Sequence, residues 1–109
     1  MNDSFKLYDL NIFVEGEKKD FVCSHENGLA ITVSGENIKL VQPNGFSFYA
    51  LSSILPLIAA KQRHTDANDW MSTDDLIACP DPNCGARFKI VRTGNTEFKH
   101  SETSSNREK

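Results

Sequence analysis

Ser47-Phe48-Tyr49-Ala50-Leu51-Ser52-Ser53-Ile54-Leu55-Pro56-Leu57-Ile58-Ala59-Ala60-Lys61-Gln62 is the one long stretch of this chain with helical rather than strand periodicity. Ser47 is an N-cap residue type, and Phe48, Leu51, Leu55 and Ile58 recur at three- and four-residue spacing. Ile54, Leu57, Ala59 and Ala60 widen that stripe, so the spacing predicts a largely buried helix over 48–62. Pro56 lies inside it. Proline removes one intrahelical hydrogen bond and crowds the preceding turn, at about 3 kcal/mol in a helix interior. The reading is therefore a helix kinked at Pro56, or a second short helix opening there.

Everything around this helix reads as strand. Tyr8, Leu10, Ile12 and Val14 alternate with polar residues, the period of a half-buried strand. Phe21-Val22-Cys23 is a short apolar run that suits a second strand. Asn27-Gly28 opens a hairpin in which Leu29, Ile31 and Val33 alternate up to Ser34-Gly35-Glu36-Asn37, and Ile38 to Val41 return. Beyond the helix, Trp70-Met71 is expected to dock on the core, and Ser72 to Asp75 to make a turn or one helical turn. Leu76 to Cys79 and Ala86 to Arg92 read as strands, Thr93-Gly94-Asn95 as a turn, and Glu97 to Lys99 as an edge strand. The expectation is an α+β fold: a small, mostly antiparallel sheet packed on one main proline-interrupted helix, a single domain over 1–100 followed by a disordered tail at 101–109.

Bulk properties narrow the function classes. The chain has 109 residues, 39% hydrophobic and 25% charged, enough for one modest core. A formal net charge of -3 with scattered basic residues argues against nucleic acid as a partner. No apolar run reaches bilayer-spanning length, and Met1-Asn2-Asp3-Ser4 lacks the cationic and apolar pattern of a signal peptide, so the expectation is a cytoplasmic protein with no membrane partner. Three cysteines are then reduced thiols or metal ligands rather than a disulfide framework.

Two of those cysteines frame Cys79-Pro80-Asp81-Pro82-Asn83-Cys84-Gly85. A loop with two prolines presents both thiols with little entropy left to lose, and its end looks like half a zinc knuckle, although knuckles usually place two residues between cysteines, not four. Upstream, Cys23-x-His25 puts two more ligands on one side of an extended segment. Cys23, His25, Cys79 and Cys84 make a Cys3His set, which suits tetrahedral, closed, structural zinc. The competing reading makes the cysteines small buried hydrophobes and His25 a surface turn residue; a Cys79–Cys84 disulfide is a further alternative.

Several blocks resemble a small uncharacterised family of bacterial and archaeal proteins: Cys23 with Gly28, Phe48-Tyr49-Ala50-Leu51 with Leu55-Pro56-Leu57, and Cys79-Pro80-Asp81-Pro82. The resemblance spans most of the chain except the tail. It implies a fold and no activity.

The functional expectation is a small accessory or binding protein carrying a structural Cys/His metal site, with an unidentified protein partner or small ligand and homodimerisation left open. Tyr49, Arg63 and Trp70 are the candidate partner-binding residues, being common anchor types beside the helix. The alternative is a small thiol- or metal-dependent enzyme, with Cys84 as nucleophile and His25 or His64 as base, because a thiol nucleophile needs exposure, a low pKa and a nearby base. No residue is assigned a catalytic role. No phosphate loop, nucleophile elbow or paired-His zinc motif is present.

Overall fold

The computed structural model describes residues 3–21 and 25–103. They form a five-stranded antiparallel sheet and one main helix: an α+β fold. Strand β1 (Ser4–Glu15) is central, β2 (Gly28–Ser34) and β3 (Asn37–Leu40) lie on one side, and β5 (Arg87–Lys99) and β4 (Leu76–Ala78) on the other, in the order β3-β2-β1-β5-β4. Helix α1 (Phe48–Gln62) packs on this sheet, followed by single-turn helices α2 (Trp70–Thr73) and α3 (His100–Thr103).

The expected alternation in β1 holds, with Leu10, Ile12 and Val14 buried. They meet Ile31 and Val33 from β2 and Phe88 and Ile90 from β5 in one core. The expected hairpin is β2–β3, with Val33 opposite Ile38 and Ser34 opposite Asn37. Helix α1 has the expected bounds and cap, the Ser47 hydroxyl accepting the Ala50 N–H at 3.4 Å. It runs through Pro56 as one continuous element, so the second-helix alternative falls away.

Its buried stripe differs from the expected one. Ala50, Ile54, Ile58, Lys61 and Gln62 face inward, while Phe48 and Leu55 are exposed. Steps of four, four and three residues follow one helix face closely, and two polar side chains extend this stripe beyond its apolar part. Trp70 does not dock on the core: at 77% exposure it opens α2 as a surface residue, while the Asp69 carboxylate caps that turn by accepting the Met71 N–H at 2.7 Å.

Two strand expectations are also corrected. Thr93-Gly94-Asn95 is not a turn; Asp9 pairs with Gly94 and Leu10 with Arg92, so Thr93 is a bulge inside one long strand that includes residues 97–99. A bulge adds a residue and twists the strand without reversing it. Phe21 follows a 3₁₀ turn (Lys18–Asp20) in place of a strand; Val22 and Cys23 lie outside the described residues. Ser101 to Thr103, expected in the tail, belong to α3, where the Ser101 N–H reaches the Asp3 carboxylate at 2.8 Å.

The two loops at one end of the sheet meet backbone to backbone. The Gly85 N–H donates to the Asp20 carbonyl at 2.7 Å. A Cβ on Gly85 would stand 2.6 Å from Asp20 Cβ, and one on Gly16, whose φ is +126°, would stand 2.8 Å from the Gly85 carbonyl oxygen. Neither neighbour is the free end of a side chain. Gly85→Ala is therefore expected to lower stability by about 1–3 kcal/mol, as overpacking does. Urea unfolding would show a lower midpoint at unchanged m-value; an unchanged midpoint would contradict the close approach.

Candidate metal centre

The β1–β5 register builds this site. Glu15 pairs with Arg87, so the chain leaving β1 and the chain entering β5 emerge side by side. The first of these loops carries His25 and the second carries Cys79 and Cys84. Lys18 holds the first loop by donating from Nζ to the His25 carbonyl at 2.6 Å, and Asn27 Nδ2 donates to the Gly16 carbonyl at 2.9 Å. In the second, the Asp81 carboxylate accepts the Asn83 N–H at 2.9 Å and the Asp81 carbonyl accepts the Cys84 N–H at 3.0 Å. Asp81 thus caps its own loop, as expected of an aspartate between prolines.

Cys79 and Cys84 are brought together as buried thiols joined by a hydrogen bond. Burial pushes the Cys79 thiol above its ordinary range, and Cys84 and Asp81 add to this; the Asp81 backbone N–H, donated to the Cys79 sulfur, pulls the other way. N–H groups directed at a cysteine sulfur stabilise a thiolate, which is the form a metal binds.

His25 is not the surface turn residue of the competing reading. Its ring is 3% exposed and packed against Phe46 and Phe88, at centroid distances of 4.4 and 5.3 Å. Its Nε2 is fully buried and has no hydrogen-bond partner among the described residues. Burial, reinforced by the Lys18 ammonium, holds the imidazole below its ordinary pKa and so neutral, as a metal ligand must be. His25 and Cys79 line the same cavity of about 370 Å³, together with Asp81 and with Ser47, Tyr49 and Ala50 from the start of α1.

The residues thus fit a soft metal ion in type, and His25 also in protonation, while Cys79 would give up the proton that burial retains. Among the described residues, however, no three of His, Cys, Asp and Glu gather into a metal-holding group. Cys23, two positions before His25, lies outside the described residues.

The thiol-enzyme alternative fares differently. Cys84 is buried, not exposed on its loop. His64 belongs to another part of the sheet: it stacks on Tyr8 at 4.1 Å, and its Nε2 lies 3.0 Å from Asn95 Oδ1. Tyr8 and Glu15 are seven residues apart on β1, about 24 Å in an antiparallel strand. His64 is therefore not the base for Cys84.

The three partner-binding candidates do not all lie together. Tyr49 and Trp70 are exposed at 71% and 77%, and Arg63 is exposed too. Tyr49 and Arg63, however, stand at opposite ends of α1, about 20 Å apart along its axis. Lys61 and Gln62 of the basic run are buried. Comparison with family models, curated proteins and solved structures finds no match to this chain.

The orphaned Nε2 has a measurable consequence in metal-free protein. The unfolded chain takes up a proton on His25 near the ordinary pKa of about 6.5, whereas the folded chain resists it. His25 therefore adds no pH dependence well above that value. Stability falls as pH drops below it, and the loss is complete once pH passes the depressed folded-state pKa. In chelator, the melting temperature is expected to fall between about pH 7 and pH 5. His25→Leu should flatten that part of the curve and, by removing a buried unsatisfied group, add about 1–3 kcal/mol. Parallel curves for the two proteins would contradict this assignment.

Proposed function

We propose that this chain is a small accessory protein whose Cys79, Cys84 and His25, completed by Cys23, hold a structural zinc ion. The observation that carries the reading is the fully buried His25 Nε2, without a hydrogen-bond partner among the described residues, in the cavity that Cys79 lines beside Cys84. Leaving a buried polar nitrogen unpaired costs about 1–3 kcal/mol, and coordination to a metal removes that cost. Zinc suits a Cys3His donor set, and four protein ligands leave no position for a reacting water, so the site is structural. The ion would join the two loops at one end of the sheet. Zinc binding displaces the thiol proton that burial retains on Cys79.

No described helix is long and apolar enough to cross a membrane, which accords with a cytoplasmic accessory role. One observation favours the enzyme alternative: the cavity of about 370 Å³ beside Cys79 leaves room for a small ligand at the metal. The elevated Cys79 pKa argues against that thiol acting as a metal-free nucleophile.

Metal analysis of untagged protein purified without added zinc tests the reading. It should find about one zinc per chain, lost in Cys79→Ser, Cys84→Ser and His25→Leu, and chelation should lower the melting temperature of the wild type. Wild-type protein without metal, or metal retained in all three variants, would overturn it. A bound zinc that exchanges a water ligand would favour the enzyme.

A further inference from the structure

The loop between β4 and β5 holds two oxidisable sulfurs in contact. Cys79 follows β4 directly, and its N–H donates to the carbonyl of Ala86, the residue that enters β5, at 3.3 Å. The chain between them turns through Pro80 and Pro82, and the Cys84 N–H closes onto the Asp81 carbonyl at 3.0 Å. These bonds keep the Cys79 and Cys84 thiols within hydrogen-bond reach of each other. Two cysteines can be bridged only where the backbone already brings their side chains together, and this loop does so.

The two sulfurs differ in access. Cys79 lines the cavity of about 370 Å³, and Tyr49 in the same wall is strongly exposed, so the cavity opens to solvent there. Cys84 is the more deeply buried of the pair, at 3% exposure against 9%. A small molecule entering the cavity therefore meets Cys79 before Cys84. Asp81 also lines the cavity, and its carboxylate disfavours an anionic oxidant. Hydrogen peroxide is small and neutral, and it fits on both counts.

We propose that Cys79 and Cys84 form a reversible peroxide-responsive dithiol, with Cys79 the attacking sulfur and Cys84 the resolving one. The Cys79 thiolate attacks a peroxide oxygen. An S–O bond forms, the O–O bond breaks, and the departing hydroxide takes a proton and leaves as water. The Cys84 thiolate then attacks the Cys79 sulfur. The S–S bond forms, the S–O bond breaks, and the second hydroxide leaves as water in the same way. The sulfurs give up two electrons and the peroxide takes them; a thiol reductant reverses the bond by exchange. The inference rests on the structural zinc reading and adds its regulation. Metal binding keeps both sulfurs as thiolates, the form that reacts. The disulfide withdraws both from the ligand set, so the ion is released and the two loops come apart at His25.

The test treats zinc-loaded protein with hydrogen peroxide, follows zinc with a coloured chelator and maps every cysteine by peptide mass spectrometry. About one zinc should be released per Cys79–Cys84 disulfide formed, and dithiothreitol with added zinc should restore both. Dimedone present from the start should trap sulfenic acid at Cys79 and not at Cys84, and that preference should vanish in urea. A chain that takes up no zinc before peroxide is added counts against the structural site alone, because the disulfide is read by mass with or without metal. Sulfinic acid in place of the disulfide, a disulfide to Cys23 instead, zinc released without any disulfide, or dimedone on Cys84 rather than Cys79 would each overturn the proposal.

Discussion

The long antiparallel ladder between β1 and β5 is the constraint on which the rest of this molecule depends. It pairs Ser4 with Lys99 at one end and Glu15 with Arg87 at the other, so it joins the start of the described chain to its end. Its register buries Leu10, Ile12 and Val14 beside Phe88 and Ile90 on the face that α1 covers. A shift by one residue would turn that set to the opposite face. The same register sets the Gly16–Asp20 turn against Gly85 and puts the His25 segment beside the cysteine loop.

The chain satisfies its other demanding buried groups with care. Buried Gln62 donates to the Gly35 carbonyl at 2.7 Å, tying the end of α1 to the β2–β3 turn. Arg92 donates to the carbonyls of Lys61 and Arg63 and to Thr65 and Ser72, and its guanidinium lies over the Tyr8 ring. The last carbonyls of a helix need such donors, and a cation there also meets the negative end of the helix dipole. Against that background, the His25 Nε2, buried and without a hydrogen-bond partner among the described residues, stands out. A buried polar group without a partner calls for a ligand or a chemical role, and this one faces the cavity that Cys79 lines.

Local structure was legible in the sequence wherever local chemistry decides it. Asn27-Gly28, Ser34-Gly35 and the alternation between them marked the hairpin, and Ser47 marked the start of α1. Thr93-Gly94-Asn95 misled because its turn-forming residues sit where a long strand needs a bulge to stay in register with β1. Trp70 misled because its size suggests burial, whereas its place at the start of a one-turn helix leaves it outside. The metal-site candidates were legible by residue type and spacing. The contact between Cys79 and Cys84 follows from their loop, but the approach of His25 depends on a pairing between residues more than seventy positions apart, to which spacing is blind. The burial of Lys61 was missed, although its position three residues after Ile58, and seven after Ile54, places it on the buried stripe of α1.

Zinc-edge X-ray absorption on zinc-loaded protein tests the central claim most directly, because it reads the ligand shell itself. The account predicts a four-coordinate site dominated by sulfur at about 2.3 Å with one nitrogen at about 2.0 Å, the nitrogen lost from the shell in His25→Leu. A shell of oxygen and nitrogen alone, or a sulfur shell unchanged by that substitution, would contradict the convergence of His25 with the cysteine loop on one ion.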